Sequence, residues 1–222
     1  VRDYLEGVGK DWQIEKESVP YIAVPTTAGT GSEVTKNAVI SSDGHEFKKS
    51  IRSPHLIPNI ALLDPELTVS LPANITAETG MDALTQLIES YVSAKKQPIP
   101  QALSIYGIKL AGENLAEAVK VPTDLEAREA MMLASLLSGI SLANSGLGAA
   151  HGIAAALGAL AHIPHGKACA MLIPKVMRAN LQSCITGFAE IADALDVEAA
   201  LLPEQKAEAA VQFVEKLCKE IG

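Results

Sequence analysis

Hydrophobic and polar positions along the chain change their spacing near residue 70. Before this point, short β-branched and apolar runs lie between Pro, Asp and Gly residues, which predicts strands at 21–24, 38–40 and 60–63. After Leu71 and Pro72 the spacing becomes helical, and it predicts helices at about 76–94, 100–119, 124–145, 148–160, 168–193 and 203–221. Thr123, with Glu126 three residues later, is the expected cap of the third helix. We therefore expect an α/β portion followed by an all-α domain, with the change at residue 70.

Composition and charge limit the classes of protein that fit. The chain has 222 residues, 48% of them hydrophobic, which is enough for a substantial core. Three cysteines without a CxxC pair indicate reduced thiols, so an intracellular, cytoplasmic protein is expected. A net charge of −8 without a basic stripe argues against nucleic acid and anionic membranes as partners.

The longest apolar stretch, at 146–163, is rich in Ala and Gly and contains His151 and His162. A transmembrane helix needs roughly twenty strongly apolar residues. We therefore expect this stretch to form a buried helix of a folded domain rather than a membrane span.

A Gly- and Thr-rich segment, PTTAGTGSE at 25–33, directly follows the first predicted strand. Two glycines within three residues allow a tight turn and a close approach to a ligand. The amides and hydroxyls of such a segment suit a phosphate or amide group. An ordinary turn after a strand has the same composition, so both interpretations stay open for the segment alone.

Four polar residues of the helical part have the spacing of a metal site. Asp82 and Gln86 stand four apart, so on a helix they share one face and can hold one ion; the alternative is a polar surface helix. His151 and His165 lie among small apolar residues, where an unpartnered imidazole is costly to bury. A backbone carbonyl could satisfy each histidine instead. His162 is the rival of His165, but it lacks the Pro-His-Gly frame.

Four stretches together resemble the iron-containing (group III) alcohol dehydrogenases. They are PTTAGTGSEVT at 25–35, IPNIALLDPELTVSLP at 57–72, TGMDALTQLIESYVS at 79–93 and SGLGAAHGIAAALGALAHIPHGKACAMLIP at 145–174. The resemblance implies a dehydroquinate synthase-like architecture, with part of a dinucleotide-binding α/β domain at 1–70 and an all-α metal and substrate domain at 71–222. It also implies an incomplete chain, with more of the nucleotide domain before Val1 and a last helical segment after Gly222.

The same resemblance assigns roles to individual residues. The implied ligands of a divalent metal, iron or zinc, are Asp82, Gln86, His151 and His165, and Gln86 stands where the family has a histidine. Asp82, His151 and His165 are the expected catalytic residues. The implied contacts to NAD or NADP are Thr26, Thr27, Thr30, Ser32, Lys48 and Leu67. Ala155 takes the place of a further family histidine near the nicotinamide.

The implied activity is hydride transfer between a nicotinamide and a small alcohol or aldehyde, with the metal as Lewis acid, in a homodimer or larger homo-oligomer. Because Gln86 and Ala155 replace two site histidines, a metal-independent reductase and a non-catalytic assembly subunit are the alternatives. The lyase dehydroquinate synthase shares the architecture, but the Gly-Met-Asp-Ala-Leu-Thr and Pro-His-Gly motifs favour the dehydrogenase branch.

Overall fold

The computed structural model describes residues 1–42, 47–197 and 202–222, and it describes their side chains except those of 41, 42, 47 and 48. Its strands all lie within the first 61 residues, and seven α-helices make up most of the described remainder. The predicted fold class, an α/β portion followed by an α-helical one, is confirmed.

Four short strands form two separate pairs. They are β1 (Ile22–Ala23), β2 (Asn37–Ser42), β3 (Phe47–Arg52) and β4 (Ile60–Ala61). β1 and β4 lie parallel, whereas β2 and β3 form an antiparallel hairpin. The sequence pattern located β1, β2 and β4 with shifted bounds. It missed β3, because Lys48, Lys49 and Arg52 interrupt the alternation of apolar and polar residues that is expected of a strand.

The helices follow one another with short connections. They are α1 (Ala73–Val92), α2 (Pro98–Lys120), α3 (Leu125–Ser145), α4 (Ala149–Leu160), α5 (His165–Asn180), α6 (Ile185–Ala194) and α7 (Pro203–Ile221). α2 and α7 begin at a proline, whose missing N–H is harmless in the first turn. The cap of α3 is Asp124 rather than the predicted Thr123, because the Asp124 carboxylate accepts the N–H of Ala127 at 3.1 Å.

The prediction of one continuous helix at 168–193 is wrong, because α5 and α6 are separate. α5 ends at Asn180, a 3-10 turn follows at Leu181–Ser183, and α6 starts at Ile185. α5 packs mainly on α1 and α4 and also on α7, whereas α6 packs mainly on α7 and also on α2 and α1, and the 3-10 turn separates these two packing arrangements. Pro174 does not break α5: its missing N–H leaves the carbonyl of Ala170 unpaired within the helix, and the thiol of Cys218 lies 3.5 Å from that oxygen as its donor.

α1 lies at the centre of the helical part, where it packs against α2, α3 and α5. Its core residues, including Met81, Leu84 and Leu87, are fully buried. It also buries polar side chains, which is costly unless each finds a partner. The polar side chains that α1 buries therefore indicate where a functional site can lie.

α4 corrects the expectation of a buried helix at 146–163. Ala150, His151 and Ala154 are buried, but Ile153 is 45% exposed and Leu160 85% exposed. α4 packs mainly against α5 and makes smaller contacts with α1 and β3, and the rest of its surface is exposed. Among the described residues, no single helix combines the length and apolarity that a membrane crossing requires; α3 and α4 pass such a test only together, and they are bent by 103°.

Candidate metal centre

One face of α1 carries three buried polar residues. Asp82, Gln86 and Glu89 are only 3–4% exposed, and their spacing of four and three places them along the same side of the helix. The alternative of a polar surface helix is therefore excluded for Asp82 and Gln86. Each of these side chains requires a partner from another element, and the partners come from α3, α4 and α5.

Four side chains from three helices bring their donor atoms together, and we call them the donor cluster: Asp82 of α1, His151 of α4, and His165 and Cys169 of α5. One donor atom of each lies within 4.8 Å of those of the others. Asp82 Oδ1 lies 3.2 Å from His151 Nε2 and 3.6 Å from His165 Nε2. Cys169 Sγ lies 3.8 Å from the Nε2 atom of each histidine. Three of the four expected metal and catalytic residues are thus adjacent.

Close packing of α5 on α1 brings its first turn to Asp82. A Cβ atom on Gly166 would lie 2.1 Å from the backbone oxygen of Glu78, so only glycine permits this approach. α5 begins at His165, three residues earlier than predicted, and this places His165 and Cys169 four apart on one face. Cys169 escaped the sequence analysis because that spacing becomes meaningful only once the helix start is known.

Glu89 is a further residue of this site that the sequence analysis missed. Its carboxylate accepts the backbone N–H of Ala150 at 2.7 Å and of His151 at 3.4 Å, and so it caps the N-terminus of α4. The same carboxylate lies 2.7 Å from Nδ1 of His151. A carboxylate can only accept, so Nδ1 carries the proton and Nε2 faces the donor cluster. The spacing of seven residues from Asp82, two helical turns, was the available sequence signal.

Charges around His151 set the protonation of the metal-free site. Burial alone would lower the pKa of His151, but hydrogen bonds to Asp82, Cys169 and Glu89 raise it to about 12. Burial would raise the pKa of Glu89, yet hydrogen bonds from His151 and the α4 backbone lower it below its usual value. Burial raises the pKa of Cys169. These interactions favour the protonated form of His151, and binding of a metal at Nε2 requires that nitrogen to be free of its proton.

Gln86 is held by the neighbouring helix. Its Oε1 atom lies 2.7 Å from the hydroxyl of Ser138 on α3, which donates to it. The same hydroxyl lies 2.7 Å from the backbone oxygen of Ser135. Gln86 thus connects α1 with α3, and its role as a metal ligand stays a prediction.

The Gly- and Thr-rich segment packs against α3 and against α1, the helix that carries Asp82 of the donor cluster. Gly31 has a positive φ of 57°, and a Cβ atom on it would lie 2.5 Å from the Cα of Gly139 on α3. A Cβ atom on Gly29 would lie 2.7 Å from the Cβ of Thr79, one turn before Asp82. Both glycines are therefore required for packing as well as for the turn. The segment turns its hydroxyl-bearing residues outward: Thr26, Thr30 and Ser32 are exposed and Thr27 is half-buried.

The remaining predicted residues are more dispersed. Leu67 is 40% exposed, in a 3-10 turn after β4. The backbone of Lys48 lies in β3, but its side chain lies outside the described residues. His162 is exposed, with a positive φ of 52°, and the donor cluster does not include it. Ala155 is on the exposed side of α4.

Two cavities lie at different distances from the donor cluster. One cavity of about 770 Å³ lies among Tyr4, Trp12 and Ile51, and none of the donor-cluster residues lines it. A second cavity of about 480 Å³ is bordered by Glu89 and Gly148 and so adjoins the donor cluster. Several buried donor atoms that point to one place need a bound group to satisfy them. We therefore place the functional site at the donor cluster.

The donor set fits a divalent transition metal. Two imidazoles, a carboxylate and a thiol are the groups that bind zinc and iron in proteins. Glu89 supplies the outer hydrogen bond that normally orients a metal-bound histidine. Within the described residues, this is the group of His, Cys, Asp and Glu side chains whose spacing suits an ion.

Comparison with known proteins identifies the family of the chain. The model of the Fe-containing alcohol dehydrogenase family, C-terminal, matches residues 76–222, and that of iron-containing alcohol dehydrogenase matches residues 1–65. The chain therefore belongs to the iron-containing alcohol dehydrogenase family.

Relatives within that family are similar along the whole chain. Long-chain-alcohol dehydrogenase 1 of Geobacillus thermodenitrificans is 38% identical over 100% of this chain and 56% of the relative. The 1,3-propanediol dehydrogenase of Citrobacter freundii is 41% identical over 91% of this chain and 53% of the relative. The crystal structure of sulfoacetaldehyde reductase from Bifidobacterium kashiwanohense in complex with NAD⁺ superposes with a TM-score of 0.90, at 34% identity, over 99% of this chain and 56% of that one. The chain spans about half the length of the curated relatives it matches.

Proposed function

We propose that this chain carries the metal and substrate site of an NAD(P)-dependent alcohol dehydrogenase or aldehyde reductase. The observation that supports it is the meeting of two features on α1. The Gly- and Thr-rich segment contacts α1 at Thr79, and the donor cluster begins one turn later, at Asp82. A cofactor held by this segment and a substrate held at the cluster would therefore be neighbours, as hydride transfer requires.

The residues of this chain prepare the site for that reaction. Asp82, His151 and His165 would hold the ion, which when bound supplies a Lewis acid for the substrate oxygen. Glu89 holds the proton of His151 on Nδ1, so that the Nε2 lone pair faces the site. His165 is the more open side of the cluster, with 32% of its side chain exposed against 8% for His151, and substrate would enter there.

The cofactor would lie along the outer surface of the Gly- and Thr-rich segment. Thr26, Thr30 and Ser32 are exposed there, and the hydroxyl of Thr30 donates to that of Ser32 at 3.1 Å. These groups suit the amide or the phosphates of a nicotinamide dinucleotide. Thr27, Lys48 and Leu67 stay predicted contacts of the same cofactor, NAD or NADP.

The relatives described above are dehydrogenases and a reductase, which supports hydride transfer over the lyase and assembly alternatives. We propose a small alcohol or aldehyde as the substrate, and a homodimer or larger homo-oligomer as the working form. A cytoplasmic location stays a prediction.

The test is the Asp82→Ala variant of the purified protein, compared with Asp193→Ala, which removes an exposed carboxylate of α6. We expect Asp82→Ala to lose bound metal and to lower kcat/KM for NADH oxidation by a short aldehyde at least about a thousandfold, because the Lewis acid is worth several kcal/mol. Asp193→Ala should match the parent. An active, metal-loaded Asp82→Ala enzyme would refute the assignment.

The parent protein separates the alternatives in the same assay, with NADH and NADPH compared. Turnover by metal-free protein would indicate a metal-independent reductase. No turnover with either cofactor, together with no quenching of NADH fluorescence, would indicate an assembly subunit. Release of phosphate from a sugar-acid phosphate would indicate the lyase.

A further inference from the structure

Cys169 is a fully buried member of the donor cluster that the proposed reaction does not use. We propose that Cys169 binds the metal as a thiolate, in the coordination position expected for Gln86, and that the four-donor site so formed prefers Zn²⁺ to Fe²⁺. The proposal rests on the proposed function only in assuming that the cluster holds a metal.

The spacing of the four donors is close to that of a tetrahedral ion. Zinc bond lengths of about 2.3 Å to sulfur and about 2.0–2.2 Å to nitrogen and oxygen separate neighbouring donors by about 3.3–3.6 Å. In the cluster, Asp82 Oδ1 lies 3.2 and 3.6 Å from the two Nε2 atoms, and Cys169 Sγ lies 3.8 Å from each. The sulfur thus lies near the position of a fourth donor, and all four donor atoms lie within 4.8 Å of one another.

Gln86 is the weaker candidate for the fourth position. Its amide oxygen accepts a 2.7 Å hydrogen bond from Ser138, which holds the side chain towards α3. A neutral amide is also a poorer ligand than a thiolate for zinc. Cys169, four residues after His165 on the same helix, needs no change of backbone to reach the ion.

Charge balance favours the thiolate as well. A divalent ion held by Asp82 and a Cys169 thiolate forms a neutral centre, whereas Gln86 would leave one positive charge in a buried site. The carboxylate of Glu89 is separately compensated, because it lies at the N-terminus of α4 and accepts two of its backbone N–H groups. Thiolate is a soft ligand, and soft ligands increase the preference for zinc over Fe²⁺.

Cobalt(II) reports directly on sulfur ligation. We would remove the metal, load the purified protein with Co²⁺ and record its absorption spectrum. The expected result is a sulfur-to-cobalt charge-transfer band in the near ultraviolet, lost in Cys169→Ser and kept in Cys218→Ser, whose thiol contacts the backbone of α5 instead. If Cys169→Ser does not fold, the parent decides alone, since a cobalt-loaded parent without this band would overturn the proposal.

Zinc affinity, measured by competition with a chromophoric chelator, tests the choice of ligand. Cys169→Ser should weaken zinc binding by at least about 100-fold, beyond the roughly 10–100-fold cost of losing an outer hydrogen-bond partner. Gln86→Ala should weaken it less than about tenfold, and the parent should bind Zn²⁺ more tightly than Fe²⁺. The reverse order of the two variants would assign the position to Gln86.

The cobalt spectrum tests the ligand proposal and the enzyme assay tests the proposed function, so either proposal can be refuted without the other. A protein that oxidises NADH and binds cobalt without the sulfur band would retain the proposed function and exclude Cys169 as a ligand. A protein with the band but without turnover would retain the ligand and exclude the proposed function.

Discussion

Glu89→Gln tests how the protein orients its metal-binding histidine. Glu89 accepts hydrogen bonds from Ala150 N, His151 N and His151 Nδ1. Glutamine has the same shape, but only its oxygen accepts. If that oxygen still accepts the hydrogen bond from the N–H of Ala150, the amide NH₂ faces the Nδ1–H of His151. Two donors then face each other in a buried site.

Both ways of relieving that conflict have a cost. Leaving the donors unpaired costs about 1–3 kcal/mol of stability. Moving the His151 proton to Nε2 relieves the clash but blocks the nitrogen that faces the metal. We therefore expect zinc affinity to fall by about 10–100-fold, the usual effect of losing such a partner, which corresponds to about 1.4–2.7 kcal/mol.

Chelator competition at neutral pH measures the zinc affinity, and urea unfolding of the metal-free protein measures the stability. Glu33→Gln is the matched control, because Glu33 is also a buried glutamate, 6% exposed, and does not belong to the donor cluster. Its zinc affinity should equal that of the parent. If Glu89→Gln bound zinc as tightly as the parent, orientation of His151 by Glu89 would be refuted.

Three further predictions concern stability. Burial raises the pKa of Glu33 above its ordinary value of 4.5. The stability that this group contributes is therefore present below pH 4.5 and is lost as the pH rises through the raised pKa. Glu33→Gln should remove this loss, so the free energy of unfolding in urea should decline less with rising pH across the acidic range than it does in the parent. Tyr91→Phe removes a 2.7 Å hydrogen bond to Glu190 and should lower the free energy of unfolding by about 1 kcal/mol, whereas an unchanged unfolding midpoint would mean that water replaces the bond. Gly166→Ala places a Cβ atom 2.1 Å from the Glu78 carbonyl oxygen, so it should separate α5 from α1. We expect it to lower the free energy of unfolding by about 1–3 kcal/mol and to weaken zinc binding. A thermal scan and chelator competition measure the two effects, and an unchanged variant would contradict the prediction.

The metal site was partly visible in the sequence. His151 and His165 stood out because an imidazole among apolar residues needs a partner, and Asp82 stood out because it lies four residues before Gln86; the structure brings Asp82, His151 and His165 together. Cys169 carried no such signal, and the signal of Glu89 was only its spacing of seven residues from Asp82. A single cysteine in a hydrophobic helix looks like core, and a glutamate in an amphipathic pattern looks like surface.

Sequence by itself determined the order and type of most elements, because the hydrophobic period and the Pro and Gly positions are local properties of the chain. It also determined family membership through four motifs. Tertiary structure alone decided the break between α5 and α6, the exposed side of α4 and the partners of Gln86 and Glu89. These features depend on which surfaces α1 offers to its neighbours. Contacts between residues such as Asp82 and Cys169, far apart along the chain, arise only when the helices pack, since side-chain spacing along one helix contains no information about the distance to another.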